Sequence, residues 1–276
     1  MTVSTSSGNC AFVCTTCGMQ YPPSSEPPPV CAICTDARQF VAPGGQRWTT
    51  LELLREKHTN VFTPEEPGVH SIHTSPTFAI GERGLLIQSK GGNVLWDCVS
   101  LIDQATVATI ERLGGVHAIA ISHPHYYTTM VEWSLAFRNA PIYLHEADRS
   151  WVQRAHASIK FWSGTNLHLH DGLTLIHTPG HFDGFQVLHC PLGAGGRGVL
   201  FAGDQPQVCM DSNWLSFMYS YPNFVPLGAT AVQDICRSLE IFQFDRIYGA
   251  FPGRTVWSGA KQKLVASADR YLKALA

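Results

Sequence analysis

The first candidates for functional residues are His123 and His125, two histidines separated by one residue. They directly follow the apolar run 116–121, which has the composition of a buried strand. A rigid strand end can aim two imidazole rings at one point, and neutral imidazole binds zinc or iron. Taken alone, the pair is equally compatible with a metal site and with two histidines in a polar turn.

Two later segments also place a metal-competent side chain after an apolar, strand-like run. His181 follows a Thr-Pro-Gly turn, and Asp204 follows the run Val-Leu-Phe-Ala-Gly. In α/β proteins, ligands gather at strand ends because the loops there are held by a rigid scaffold. Both segments therefore favour the metal interpretation of the histidine pair.

Four cysteines form an independent pattern near the N-terminus. They are arranged as two Cys-x-x-Cys motifs separated by thirteen residues: Cys14 and Cys17, then Cys31 and Cys34. Each motif presents two sulfur atoms from one turn, and two facing turns complete a tetrahedron around one ion. A segment of about forty residues buries too little apolar surface to fold alone, so the metal would supply folding free energy. We predict a metal site with four thiolate ligands.

Composition excludes several classes of protein. Of the 276 residues, 45% are hydrophobic and 14% are charged, which argues against disorder and for an extensive core. A formal charge of -2, without any run of basic residues, argues against a nucleic-acid or membrane-surface partner. No apolar stretch reaches the roughly twenty residues of a membrane span, and residues 1–9 do not resemble a secretory signal. We therefore expect a cytoplasmic protein whose nine cysteines are thiols or metal ligands.

Hydrophobic periodicity predicts a mixture of helices and strands. Helices are predicted at 49–58, 101–113, 129–137, 146–152, 226–242 and 258–274. Strands are predicted at 69–73, 77–80, 84–89, 93–96, 116–121, 141–144, 174–177, 185–189 and 198–201, with a hairpin turn at 91–93. This order indicates α/β layers with β-hairpins.

The N-terminal segment 12–41 resembles the rubredoxin-like domain of the rubrerythrins. The resemblance rests on an aromatic residue before the first cysteine motif, the Cys-x-x-Cys-Gly, the following Tyr21, the proline-rich connection, and Phe40 after the second motif. In rubredoxins the ion is an iron that carries electrons. Thr35 stands where a rubredoxin usually has glycine after its last cysteine, which would alter the amide hydrogen bonds that tune such a site. We therefore expect structural zinc here, with iron as the alternative.

The chain from about residue 68 to its end resembles the metallo-β-lactamase superfamily. The pattern His123-x-His125, Thr-Pro-Gly-His181 and Phe-Ala-Gly-Asp204 occurs in the family's order. The resemblance implies a four-layer αββα sandwich, of the α/β (α+β) class, with a metal site at one edge between two sheets. We expect a small four-cysteine zinc-ribbon or rubredoxin-like domain at residues 1–43. A linker with a helix at 44–66 and a metallo-β-lactamase-like domain at 67–276 would follow.

The same resemblance implies the ligands and a departure from the family. His123, His125 and His181 would bind the first metal ion, and Asp204 is the carboxylate that reaches both metals in family members. Apart from this shared aspartate, the family's ligands for a second metal ion are missing from this sequence. Because these losses fall on one site, we predict a single metal ion bound by the three histidines and Asp204.

Tyr127 and Thr128 mark the missing second site. They stand where the family pattern His-x-His-x-Asp-His has its aspartate and last histidine. The segment 247–253, where family members often supply one more histidine, contains none. Tyr127 could donate a hydrogen bond to a developing oxyanion, which makes it the catalytic candidate, or it could simply fill the space as a packed aromatic residue.

These residues predict an enzyme, a zinc-dependent hydrolase of a small ester, thioester or lactone-type substrate. One zinc ion can polarise a carbonyl group and lower the pKa of bound water toward neutrality. Two alternatives stay open: a mononuclear non-haem iron oxidoreductase fed by a rubredoxin-like iron centre, and a non-catalytic binding protein stabilised by its metal. We expect zinc at the four-cysteine site and at the site of three histidines and Asp204, with iron possible at either. The expected partner is a small molecule, with 210–226 as a substrate-side loop.

Overall fold

Two β-sheets form the centre of the molecule in the computed structural model, which describes residues 9–276. The first sheet has seven strands, in the spatial order Thr59–Glu66, Val69–Ser75, Arg83–Ile87, Val94–Trp96, Ala118–Ala120, Ile142–His145 and Ile159–Trp162. The second sheet has six, in the order Asn166–His168, Thr174–His177, Gln186–Cys190, Val199–Gly203, Arg246–Gly249 and Thr255–Val256. Three short antiparallel pairs join Val13–Cys14 with Trp48–Thr49, Gln207–Val208 with Leu215–Ser216, and Met218–Ser220 with Val225–Pro226.

Both sheets combine antiparallel hairpins with parallel neighbours. The first four strands of the first sheet form an antiparallel meander, and the last three run parallel to the fourth. In the second sheet only Val199–Gly203 and Arg246–Gly249 pair in parallel. Parallel neighbours need long crossovers, because a tight turn can only join antiparallel strands. The predicted turn at 91–93 lies in such a tight connection, between Arg83–Ile87 and Val94–Trp96.

Along each central strand, side chains alternate between the core that separates the two sheets and the core on the outer face of that strand's own sheet. Leu85 packs in the core between the sheets, whereas its neighbour Leu86 packs in the core under the outer helices. In the second sheet, Val199 and Phe201 pack between the sheets and Leu200 packs outward. Successive side chains of a strand point to opposite faces, so strands that are apolar on both faces must be covered on both. The predicted four-layer αββα sandwich is confirmed.

Helices supply the outer layers. The α-helices are Leu51–Lys57, Gln104–Arg112, Met130–Ala136, Ala229–Ser238 and Ala260–Leu275, with a helical turn at Gly193–Gly196. Side-chain caps begin the first two, because Thr50 and Asp103 accept hydrogen bonds from the N–H groups of Leu53 and Thr106. Five of the six predicted helices are present; four are shorter than predicted at both ends, and the last begins later and extends to Leu275. Within residues 9–276, no helix combines the length and apolar character needed to cross a membrane.

Two predicted elements differ from the structure. Residues 146–152, predicted as an α-helix, form the 3₁₀-helix Glu146–Trp151. Its one buried side chain is that of Asp148, so no apolar stripe holds a longer helix against the sheet. Residues 77–80, predicted as a strand, form a turn in which the N–H of Gly81 donates to the carbonyl oxygen of Phe78 at 3.1 Å. Proline and glycine flank these four residues and prevent ladder pairing.

The predicted linker contributes a strand to the first sheet. Its helix, Leu51–Lys57, is present, but Thr59–Glu66 then pairs along its length with Val69–Ser75 as the outermost strand. The residues of this strand are exposed or half-buried, so they carry no strong hydrophobic alternation that would identify a strand. The boundaries of the three segments stay predictions, and residues 1–8 of the first segment lie outside the described residues.

The N-terminal segment, residues 9–49, packs against the outer face of the first sheet. Its buried cysteines share one hydrophobic core with that face. The N–H of Gln20 donates to the carbonyl oxygen of Thr128 at 3.1 Å. Arg154 donates from Nη1 to Glu132 at 2.6 Å and also to the side chain of Gln20. The segment is thus fastened to the part of the chain that follows the His-x-His motif.

Candidate metal centre

Four predicted ligands converge at one edge of the sandwich. His123 and His125 follow the fifth strand of the first sheet, His181 follows the second strand of the second sheet, and Asp204 follows its fourth. All four are buried, and one ligand atom from each lies within 4.8 Å of the others. His181 Nε2 lies 3.3 Å from His125 Nδ1 and 3.9 Å from Asp204 Oδ2. His123 Nε2 lies 3.6 Å from the same carboxylate oxygen.

The geometry fits a single metal ion. Donor atoms that lie about 2.0–2.1 Å from a tetrahedral zinc ion are about 3.3 Å from one another. Within the described residues, His123 Nε2, His125 Nε2 and Asp204 Oδ1 are buried and have no hydrogen-bond partner. Buried polar atoms without partners cost free energy. A cation held among the donor atoms would remove part of that cost.

Hydrogen bonds from residues outside the ligand set orient the imidazole ring of His123. Its Nδ1 lies 2.9 Å from the hydroxyl oxygen of Ser122. Asp97 accepts hydrogen bonds from the N–H of Ser122 at 2.7 Å and from its hydroxyl at 3.1 Å. Asp97 has a φ of 60°, in the left-handed region that aspartate tolerates better than most residues. Because Nδ1 is engaged in this way, Nε2 of His123 is left to face the other ligands.

Backbone and side-chain contacts from the second half of the chain hold His181 and Asp204. His181 Nδ1 lies 3.1 Å from the carbonyl oxygen of Met218, and the N–H of His181 donates to Gln205 Oε1 at 2.6 Å. The Tyr221 hydroxyl donates to the carbonyl oxygen of Asp204 at 2.5 Å. Met218 and Tyr221 both lie in the predicted substrate-side loop. That loop therefore positions metal ligands.

Burial keeps the imidazole groups neutral. It lowers the pKa of His123 and of His125 well below the usual value, and neighbouring imidazoles lower both further. Burial lowers the pKa of His181 to about 4 and raises the pKa of Asp204 to about 7. Neutral imidazole is the form that binds metals, so these histidines need not lose a proton on binding. A bound cation would in turn stabilise the ionised form of Asp204.

The candidate ligands border a cavity. Two ionisable residues that the sequence analysis did not identify, Arg38 and Glu82, also line it. The cavity encloses about 530 Å³, part of it open to solvent, and Arg38, Glu82 and Tyr221 line it together with His125, His181 and Asp204. Glu82 is 4% exposed, and its Oε2 has no hydrogen-bond partner among the described residues. Burial, reinforced by the charge of Asp204, raises the pKa of Glu82 to about 8.

Sequence reasoning missed three residues of the site for different reasons. Asp97 directly follows the buried strand Val94–Trp96, the same pattern that identified Asp204, so a systematic search of strand ends would have found it. Glu82 precedes a strand and gives no such signal. Arg38 belongs to the N-terminal segment and reaches the cavity only through tertiary packing.

Tyr127, the predicted catalytic residue, is not part of the cavity lining. It is 1% exposed and packs in the core on the outer face of the first sheet. Tyr126 lines the cavity instead, donating from its hydroxyl to the carbonyl oxygen of Ala250 at 3.1 Å. The reason is local, because the 3₁₀-helix Pro124–Tyr126 directs consecutive side chains to different sides. The position of Tyr127 fits the packing alternative.

Four cysteines converge in the same way in the N-terminal segment. The sulfur atoms of Cys14, Cys17, Cys31 and Cys34 lie within 4.8 Å of one another, and two of the distances are 3.5 Å. Sulfur ligands about 2.3 Å from a tetrahedral zinc ion are about 3.8 Å apart, so the cluster fits one ion. Gln46 donates from Nε2 to Cys14 Sγ at 3.0 Å, and burial raises the pKa of Cys17. A cation would offset the mutual repulsion of four thiolates.

Comparison with known proteins finds similarity both in sequence and in fold. No protein-family model matches the chain. The uncharacterized protein YmaE of Bacillus subtilis (strain 168) is 50% identical over 266 residues, covering 96% of this chain and 96% of YmaE. The metallo-β-lactamase DIM-1 superposes with a TM-score of 0.57 at 15% identity, covering 79% of this chain and 98% of DIM-1. For the metallo-β-lactamase SMB-1 the TM-score is 0.52 at 16% identity, with 79% and 95% covered. The likeness establishes the metallo-β-lactamase fold, and activity does not follow from fold alone.

Proposed function

The chain belongs to the same family as YmaE, and because it has the metallo-β-lactamase fold with a convergent His/Asp cluster we propose that it is a metal-dependent hydrolase. We further propose that it acts through one metal ion, held by His123, His125, His181 and Asp204, on a small ester, thioester or lactone. Mononuclear iron chemistry and a purely structural metal are the alternatives that the experiments below separate.

One observation carries the proposal. Donor atoms of three neutral histidines and one carboxylate lie within 4.8 Å of one another at the wall of an open cavity. A metal ion that only holds the fold together is usually enclosed by protein, whereas a catalytic one keeps access for substrate. The cavity at His125, His181 and Asp204 supplies that access.

The metal ion and the residues around its ligands would have separate roles in catalysis. A metal ion bound there would polarise the substrate carbonyl and lower the pKa of water. Glu82, whose Oε2 is buried in the cavity without a partner, would exchange a proton with the attacking water or the leaving group. Tyr126 and Phe251 line the same cavity and would exclude bulk water from the reacting bond.

The surroundings also support the use of a single ion. Thr128 stands where the metallo-β-lactamase pattern His-x-His-x-Asp-His has its last histidine, and it donates from its hydroxyl to the carbonyl oxygen of Cys98 at 2.9 Å. Across residues 9–276, the four-cysteine cluster and the His/Asp cluster are the groups of three or more convergent metal-ligating residues. Within that part of the chain, Glu82 does not belong to the His/Asp cluster, and no second set of ligands adjoins it.

Hydrolysis of a substrate panel tests this proposal. Purified wild-type protein, loaded with zinc, would be assayed against esters, thioesters, lactones and phosphodiesters. We expect turnover of at least one ester, thioester or lactone, which His181→Ala abolishes together with one zinc equivalent. His168→Ala, a substitution of a histidine on the exposed edge strand of the second sheet, is the matched control and should behave like wild type. Equal rates for His181→Ala and wild type would defeat the proposal.

We propose zinc at both metal sites. Elemental analysis of the purified protein should find about two zinc ions per chain, and the protein should be colourless. Iron bound by the four cysteines would give a red protein with thiolate charge-transfer bands. That colour would support the electron-transfer alternative instead.

We also propose a cytoplasmic location and a small-molecule substrate. All nine cysteines are unpaired, and four of them form a metal-competent cluster, which suits a reducing compartment. Fractionation of cells that produce the protein at native levels would test the location.

A further inference from the structure

A loop of the N-terminal segment is fastened beside the metal centre. The Ser220 hydroxyl donates to the carbonyl oxygen of Arg38 at 3.0 Å. Asn223 donates from Nδ2 to the carbonyl oxygens of Ala37 and Gln39, at 3.1 Å each. These contacts join the loop 36–39 to the same stretch that positions His181 through Met218 and Asp204 through Tyr221.

Three aromatic rings surround the guanidinium group of Arg38. Its guanidinium carbon lies 4.3 Å from the ring centre of Phe182, 4.9 Å from that of Tyr219 and 5.6 Å from that of Trp151. Cation–π contacts of this kind orient a guanidinium group and withdraw it partly from water. Phe182 directly follows the ligand His181, so the positive charge is fixed next to the metal centre.

The hydrogen-bonding capacity of Arg38 is only partly used. Asp36 accepts from Nη1 at 2.9 Å. Nε is buried and has no hydrogen-bond partner among the described residues. A guanidinium group offers five N–H donors in a planar fork that suits a carboxylate. Because Arg38 also lines the cavity, a carboxylate bound there would accept hydrogen bonds from guanidinium N–H groups that Asp36 does not use.

We propose that Arg38 is a substrate-binding residue and that the hydrolysed substrate carries a carboxylate, which Arg38 binds beside the metal centre. The proposal rests on the proposed function, because it requires a metal ion at the His/Asp cluster. Among the described residues that line the cavity, Arg38 is the one with a permanent positive charge. The N-terminal segment thereby supplies part of the substrate site.

Binding of two matched metal-binding thiols tests the proposal without any turnover. Mercaptoacetate and mercaptoacetamide both offer a sulfur to the metal ion and are almost equal in size, but only mercaptoacetate carries a carboxylate. Each would be titrated calorimetrically into zinc-loaded wild type, Arg38→Gln and Arg197→Gln. Arg197 is an exposed arginine paired with Asp245 and serves as the control. Because the two thiols differ in acidity, affinities are compared between proteins for each probe separately.

We expect Arg38→Gln to weaken mercaptoacetate about tenfold and to leave mercaptoacetamide within about twofold of wild type. Arg197→Gln should match wild type for both probes. Arg38→Lys keeps the positive charge but loses the planar fork of donors, so its loss of mercaptoacetate affinity should be intermediate. This second variant also tests the proposal if Arg38→Gln folds poorly. Unchanged mercaptoacetate binding in well-folded Arg38 variants would overturn the role of Arg38 while leaving the metal centre intact. Failure of both probes to bind wild type would overturn the metal centre and, with it, this proposal.

Discussion

Asp97 shows how a residue remote from the donor atoms can control a metal site. Both of its carboxylate oxygens hold Ser122, whose hydroxyl lies 2.9 Å from Nδ1 of the ligand His123. Partners of this kind set the tautomer and orientation of a histidine ligand before the metal arrives. The affinity of the His/Asp cluster should therefore depend on residues that never touch the ion.

Asp97→Asn should lower the zinc affinity of the His/Asp cluster by about 10- to 100-fold. Asparagine tolerates the positive φ of this position, but its amide nitrogen cannot accept the hydrogen bond from Ser122. The measurement is competition for zinc against a chelator of known affinity. Asp211→Asn, in an exposed turn, is the control, and an Asp97→Asn protein with wild-type affinity would contradict this account.

Glu82→Gln should slow hydrolysis by about 100-fold or more, because an amide cannot exchange a proton with water or a leaving group. Zinc content should stay at the wild-type level, since the Glu82 carboxylate is not one of the four clustered ligand groups. Rates on a substrate from the panel, read together with elemental analysis, separate the two effects. Loss of zinc from the variant would instead indicate that Glu82 supports the ligands.

At the scale of elements, a buried carboxyl group, that of Asp148, joins the 3₁₀-helix Glu146–Trp151 to the second sheet. Its partner lies in the loop between the strands Thr174–His177 and Gln186–Cys190. Asp148 accepts a hydrogen bond from the N–H of Gly184 at 2.8 Å, and its other oxygen has no partner among the described residues. Burial raises the pKa of Asp148 to about 7 despite this bond. The element is thus held by a group that resists ionisation.

The raised pKa predicts that Asp148 makes the fold less stable as the pH rises. The unfolded-state pKa is about 3.9, so the contribution of Asp148 is fully present below about pH 4 and is lost as the pH passes through the folded-state value. Between pH 5 and pH 8 the loss should be about 2–3 kcal/mol. Asp148→Asn keeps an acceptor for Gly184 and removes the titration. Urea unfolding at both pH values should show a smaller pH dependence for the variant, and an equal dependence would refute the prediction.

At the scale of the whole molecule, the N-terminal segment and the sandwich share one hydrophobic core. Cys14, Cys31 and Cys34 belong to the same hydrophobic core as Ile119 and Leu144 of the first sheet. The loop that follows the second cysteine motif carries Arg38 into the cavity. Loss of a metal ion from the four-cysteine cluster should therefore weaken ligand binding beside the His/Asp cluster.

Cys31→Ser should reduce bound zinc from about two ions per chain to about one. The variant should also unfold at a lower temperature, because the metal contributes folding free energy to a segment with little core of its own. Mercaptoacetate binding should weaken as it does in Arg38→Gln, since the loop bearing Arg38 loses its anchor. Cys10→Ser, which changes a thiol outside the cluster, is the control. Unchanged zinc content in Cys31→Ser would argue against the tetrathiolate site.

Much of the fold and of the ligand set could be predicted from local sequence. Buried strands such as Val199–Gly203 are apolar throughout, and Asp204 at the end of that run is a local signal. The cysteine spacing likewise dictates which sulfur atoms share a turn. The outer strand Thr59–Glu66 was missed because a half-exposed edge strand lacks a hydrophobic pattern and is defined by its pairing partner.

The sequence by itself determined the layered α/β fold and the two groups of metal-competent residues, because hydrophobic periodicity and ligand spacing are local properties of the chain. Tertiary structure alone decided that Arg38 and Glu82 line the cavity of the His/Asp cluster, although Arg38 lies more than eighty residues before His123 in the chain. Such juxtapositions arise when separate elements bury their apolar faces against one another. No spacing rule within the chain encodes which polar side chains then meet in the space between them.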